Sequence, residues 1–158
     1  MKNLHLTVAA IIEDQGRFLV VEEYAGGKLV INQPAGHVEP GEAIVTAAIR
    51  ETLEETAWQF APEAITGIYL WEAPNGEPFL RIAFCGQHSN HNTAIELDDG
   101  IVRTLWLSRE ELVKRREQLR SPMVLRGIDD YLAGTRLPLD VVSHINTEAL
   151  IERASPVA

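Results

Sequence analysis

The stretch that decides the fold is Gly36-His37-Val38-Glu39-Pro40-Gly41-Glu42, continuing into Ala43-Ile44-Val45-Thr46-Ala47-Ala48-Ile49-Arg50-Glu51-Thr52-Leu53-Glu54-Glu55-Thr56-Ala57-Trp58. Pro40 and Gly41 mark a loop, and the segment from Ala43 to Ala57 holds neither Gly nor Pro and is expected to be helical. At about 100° per residue, Val45, Ala48, Ile49, Thr52 and Leu53 fall on one side, the face expected to be buried. Glu51, Glu54 and Glu55 group on the other side, at spacings where helical side chains meet, with Arg50 at the edge of the acidic cluster.

Such a cluster works against the helix that carries it. Like charges one turn apart repel by roughly 0.2–0.5 kcal/mol per pair. Carboxylates in the last turns also oppose the helix dipole, at about 0.3–1 kcal/mol each. A divalent cation reverses both penalties, since carboxylate oxygens on one helix face suit Mg²⁺ or Mn²⁺. An isolated Glu-Glu pair is usually a solvated face; here the glycine loop, Arg50 and the third Glu share one frame, which favours a metal site.

The pattern resembles the Nudix box: Gly, five residues, Glu, seven residues, then Arg-Glu-apolar-x-Glu-Glu-x-Gly-apolar. Gly36, Glu42, Arg50, Glu51, Glu54, Glu55 and Trp58 match in register, so every ionisable position is filled. Thr52 stands where an aliphatic residue is usual, and Ala57 where a Gly usually supplies a left-handed helix cap. The resemblance implies a helix–sheet–helix sandwich, that is, an α/β fold with a mixed β-sheet. It also implies Mg²⁺- or Mn²⁺-dependent hydrolysis of phosphoanhydride bonds in nucleoside di- and triphosphates and related pyrophosphates. Hydrolysis of nucleotide sugars or dinucleoside polyphosphates is an alternative, and a non-catalytic nucleotide-binding module is another; the intact acids Glu51, Glu54 and Glu55 weigh against the latter.

By the same resemblance, Glu51 and Glu55 are metal ligands, Glu54 is a ligand directly or through water, and the carbonyl of Ala35 adds an oxygen. Arg50 is expected to orient the carboxylates through charge-assisted hydrogen bonds. Glu42, at the helix start, suits a capping or ion-pair role at least as well as a catalytic one. For the general base the sequence leaves two sources open, Glu51 in the box, which is preferred, and Glu96, Asp98 or Asp99 in a distant loop. Gln33 and His37 flank the entry to the box, while Lys28, Arg17 and Arg81 are candidate phosphate contacts. Trp71 is a candidate to stack on a ring.

Composition narrows the class. The chain of 158 residues suits one domain, expected over residues 1–145, with residues 146–158 as a tail expected to be disordered. A net charge of −9 without a basic run argues against nucleic acid as a partner, and a negative protein acting on the small polyphosphate that the resemblance implies has to neutralise charge locally, through metal ions. No stretch approaches the roughly 20 apolar residues of a membrane span. The lone Cys85 lies in an apolar run and is expected to be a buried packing residue. The protein is expected to be cytoplasmic, as a monomer or homodimer.

Along the chain, strands are expected from Leu4 to Glu13, Arg17 to Tyr24, Leu29 to Asn32, Ile65 to Ala73, Phe79 to Gly86 and Ile101 to Leu107. Ala61-Pro62-Glu63 is expected to be a loop, Pro74-Asn75-Gly76-Glu77 a hairpin turn, and the segment from His88 to Asn92 an exposed loop whose two histidines lack a third metal ligand. Ser108-x-x-Glu111 has the form of a capping box, and Ser121-Pro122 that of a helix start, with Gly134 ending that helix. Leu137, Leu139, Val141 and Val142 are expected to pack on the body.

Overall fold

A computed structural model describes residues 2–146 of the chain. The strands are β1 (His5–Ile11), β2 (Glu13–Asp14), β3 (Arg17–Ala25), β4 (Lys28–Asn32), β5 (Ala35–His37), β6 (Gln59–Glu72), β7 (Pro78–Ser89) and β8 (Ile101–Ser108); the helices are α1 (Ile44–Thr56), α2 (Arg109–Lys114) and α3 (Met123–Leu132). One sheet runs in the order β5-β1-β7-β6 and is mixed, because β1 and β7 are parallel while the two outer pairings are antiparallel. In the other, β3 pairs antiparallel with β2, β4 and β8.

The alternation of strand side chains builds two cores. Val8, Ala10, Ile12, Ile82 and Phe84 pack with Ala47 and Ala48 of α1. Ile11, Ala83 and Cys85, one position out of phase, pack instead with Leu112 of α2 and Ile128 of α3. Helices therefore cover both faces, the expected sandwich, and Cys85 is buried and free.

Several local expectations hold for stated reasons. Ser108 Oγ accepts from the Glu111 amide and Glu111 Oε2 accepts from the Ser108 amide, the reciprocal box that opens α2. Ser121 Oγ accepts from the Met123 amide, and Pro122 already has helical φ and ψ. Thr52 is fully buried in α1 and returns its hydroxyl to the Ala48 carbonyl at 2.8 Å. Ala57 takes the left-handed conformation of the glycine it replaces, φ 62°, and its amide donates to the Leu53 carbonyl.

Others are corrected. β6 begins at Gln59, so Ala61-Pro62-Glu63 is strand rather than loop; β6 is an edge strand with a bulge beside Pro62, where a missing amide is tolerated. β7 runs on to Ser89, which places His88 in a strand opposite Phe60. In α1 the buried residues are Ala47, Ala48, Thr52, Glu55 and Thr56, while Ile49 is exposed and Leu53 half-buried. The helix is thus turned so that Glu55 leaves the outer acidic face and goes inside. Leu139 and Val142 pack on the α1 core as expected, but the Val141 and Leu137 side chains are exposed; Leu137 is held by backbone bonds to Ile65. The expectation of a disordered tail over residues 146–158 falls, past Asn146, outside the described residues.

Candidate active site

The site begins with Arg50. Its guanidinium makes five hydrogen bonds: Nε and Nη2 to the two oxygens of Glu42, Nη1 to Glu51 Oε1 at 2.9 Å and Glu54 Oε2 at 3.0 Å, and Nη2 to the His37 carbonyl. One cation thereby offsets the repulsion among the helical carboxylates and ties them to the glycine loop. Glu42 also accepts from the Glu39 amide, and Arg50 holds its carboxyl below the usual range. This places Glu42 in an ion pair at the start of the helix.

Glu51 rests against Gly36. A β-carbon at residue 36 would fall on the Glu51 carboxylate, so any other residue there would displace that carboxylate. Burial raises the Glu51 pKa, with Arg50 opposing. Glu55 is 5% exposed, and its Oε1 accepts from the Ala35 amide at 2.7 Å. Burial pushes that carboxyl up to about 9, with the Ala35 amide opposing and Glu23, Glu51 and Asp98 adding to the rise. The backbone at Ala35 and Gly36 is therefore fixed between two carboxylates of α1.

A third element supplies the remaining acid. The Asp98 amide donates to the Glu54 carbonyl at 3.0 Å, and the Asn92 amide to the Ala57 carbonyl at 3.0 Å, so the loop between β7 and β8 docks on the unsatisfied C-terminal end of α1. Carboxylate oxygens of Glu51, Glu54 and Asp98 consequently lie within 4.8 Å of one another, a donor set able to hold a divalent cation. Glu96 and Asp99 flank Asp98 in an open depression but stand outside that group.

Beside the acids lies a cleft of about 210 Å³ lined by Ala35, Gly36, His37, Trp71, Phe79 and Arg81, with Glu23, Asn32 and Arg120 among the other walls. Trp71 and Phe79 are adjacent rings, 5.5 Å between centroids. Arg81 is 5% exposed; it donates to Gln33 Oε1 and Asn32 Oδ1, its Nε has no partner, and among the described residues it forms no ion pair. Burial lowers its pKa to about 10. Arg120, by contrast, pairs with Glu23 at 3.0 Å. His37 Nε2 lies 2.9 Å from His5 Nδ1, and burial, then His5, lowers the His37 pKa.

Of the residues picked out in the sequence, His37, Trp71 and Arg81 line this cleft. Gln33 does not: it is buried beneath Arg81, bonded at one end to Arg81 and at the other to the Val124 carbonyl. Lys28 stands at the exposed start of β4, away from the cleft, and Arg17 pairs with Glu111. Sequence reasoning missed Glu23, Asn32 and Arg120. Glu23 and Asn32 meet across the β3–β4 hairpin, where Asn32 Nδ2 donates to Glu23 Oε1, and Arg120 joins them by long-range pairing, its amide bonding the Ile31 carbonyl beside Asn32.

Sandwich, glycine notch and acidic helix define a Nudix-type hydrolase site. The Nudix domain model matches residues 3–126, and the chain belongs to that family. It is an enzyme acting on pyrophosphate bonds of small-molecule phosphates. It is 40% identical over 142 residues to phosphatase NudJ of Shigella boydii, covering 90% of this chain and 92% of that one. To phosphatase NudJ of Escherichia coli K12 it is 39% identical over the same length. A Nudix hydrolase from Nitrosomonas europaea superposes with a TM-score of 0.88 at 45% identity, covering 90% of this chain and 98% of that chain.

Proposed function

We propose that this protein is a Mg²⁺-dependent, or Mn²⁺-dependent, phosphatase of nucleoside di- and triphosphates and of related pyrophosphates, releasing inorganic phosphate. Thiamine-precursor pyrophosphates such as hydroxymethylpyrimidine pyrophosphate belong to the same substrate class. The observation that carries the reading is the meeting of Glu51, Glu54 and Asp98 beside a cleft whose wall residue Gly36 rests against Glu51. Likeness to the NudJ phosphatases supports the choice of substrates.

The donor set is all oxygen, which fits a hard divalent cation. Glu51, Glu54, Glu55 and the Ala35 carbonyl would hold it, with the Asp98 carboxylate beside Glu51 and Glu54, and when bound it would supply charge neutralisation on the phosphates and a more acidic water. Arg50 keeps Glu51 and Glu54 in place. Asp98 takes the proton from the attacking water: its carboxylate is exposed and free of hydrogen bonds among the described residues, whereas Glu51 is wedged against Gly36 and tied by Arg50. This shifts the base from the residue preferred on sequence to one of the loop acids. Trp71 and Phe79 offer a stacking wall to a planar ring, and His37 and the unpaired Arg81 offer polar contacts. We place the enzyme in the cytoplasm, as a monomer or homodimer.

A groove lined by Trp71, Pro74, Leu119, Pro122 and Leu125 adjoins the cleft through Trp71, Arg120 and Ser121, and favours a second reading in which the substrate carries another organic group, as dinucleoside polyphosphates and nucleotide sugars do. The test is a panel of these compounds with Mg²⁺, with products resolved as phosphate, pyrophosphate or nucleotide. Phosphate from mononucleotides and small pyrophosphates, at the highest kcat/KM, is the expected result. Preferential cleavage of the larger compounds selects the second reading, and no turnover of any member overturns both.

A further inference from the structure

The loop that delivers Asp98 has little to hold it. From Asn90 to Gly100 only Ile95 and Leu97 are even half-buried, so few apolar contacts tie the loop to the body. It must also bring a carboxylate up to Glu51 and Glu54, against their repulsion. Among the described residues its attachments are the two backbone bonds to the end of α1, one from the Tyr24 amide to the Gly100 carbonyl at the loop's far end, one bond from Asn90 Nδ2 to Gln59 Oε1, and a ring stack. In that stack the His91 imidazole lies flat on the Trp58 indole, 4.3 Å between centroids and 11° between planes. Trp58 is itself braced edge-on by His88 at 4.7 Å and by Trp106 at 6.4 Å. Its position is thus fixed from two strands, β7 and β8, and His91 is the loop's only ring seated on it among the described residues.

We propose that His91 is a positioning residue: stacked on Trp58, it pins the loop that carries Asp98 into the acidic cluster. The inference rests on the reading of Asp98 as the base. A stack of this kind contributes about 0.5–1.5 kcal/mol beyond its buried area, a factor of roughly 2–12 in the docked population of a weakly held loop. Neither ring's charge state enters the argument, only its flat face, so another aromatic should serve in place of the imidazole.

The test is a double-mutant cycle on the full chain with Mg²⁺ and a nucleoside triphosphate. His91→Ala should lower kcat by about 5-fold with KM little changed, and His91→Phe should restore it. In an Asp98→Asn background the same His91→Ala change should have almost no further effect, because the loop then carries nothing to position. A purely structural contact predicts equal losses in both backgrounds, and that result overturns the inference, as does full activity of His91→Ala beside an impaired Asp98→Asn. Full activity of Asp98→Asn itself overturns the reading of the base and the inference together.

Discussion

The Glu51 carboxylate fills the space that a side chain on Gly36 would need. The glycine that opens the sequence pattern and the glutamate fifteen positions later are thus two halves of one contact. Gly36→Ala should push Glu51 out of its notch, break its alignment with Arg50 and cost about 10–100-fold in kcat/KM. The fold should survive, because β5 is a short edge strand. Mg²⁺ titration of activity checks this: the variant should need more metal, and wild-type behaviour would show that Glu51 has another place to go.

Glu55, a proposed metal ligand, should link metal, pH and stability. Its folded pKa, about 9, stands above its reference value of 4.5, so the folded state holds the proton more tightly than the unfolded chain does. That stabilisation is fully present below pH 4.5 and is lost as the pH rises towards 9. In EDTA, Tm should therefore fall between about pH 5 and pH 9. Millimolar Mg²⁺, which prefers ionised carboxylates, should reduce the fall and raise Tm most at the alkaline end. Glu55→Gln should flatten the metal-free profile and raise Tm at pH 8, while lowering activity by at least about 100-fold. Thermal melts at several pH values, with and without Mg²⁺, decide it; identical profiles for wild type and Glu55→Gln count against the argument.

The loop acids should behave unequally. At saturating Mn²⁺, Asp98→Asn should lose about 10²–10⁴-fold in turnover, with metal affinity measured separately and little altered. Asp99→Asn and Glu96→Gln should stay within a few-fold, since neither joins the carboxylate group. If Asp98→Asn also remains within a few-fold, the base is Glu51 after all.

Ala57 pays for its conformation. A left-handed φ of 62° on a residue with a β-carbon costs about 1–2 kcal/mol. Glycine removes that strain but adds entropy to the unfolded chain, so Ala57→Gly should gain about 0.5–1 kcal/mol net. Urea denaturation should show a higher midpoint at unchanged slope. A loss of stability would mean that the buried methyl group of Ala57 matters more than the strain.

What the sequence determined by itself is what local geometry determines. Charge spacing along one helix brought Glu54 within reach of both Arg50 and Glu51, because residues three and four apart must meet on a helix whatever surrounds it. The capping box at Ser108, the helix start at Ser121 and the strand alternation that divides Val8 and Ala10 from Ile11 are local in the same sense. Periodicity could not set the rotation of α1. Its apolar residues are spread around the cylinder, and the Ala35 amide draws Glu55 inward while Ile49 is left outside. Nor could it tell which of Glu96, Asp98 and Asp99, alike in type, would come up to Glu51 and Glu54; the bond from the Asp98 amide to the end of α1 brings Asp98 there. The cleft was least legible of all. Glu23 and Arg120 meet across 97 positions and Gln33 braces Arg81 across 48, and no residue in such a pair carries a mark of its partner until the sheets have formed.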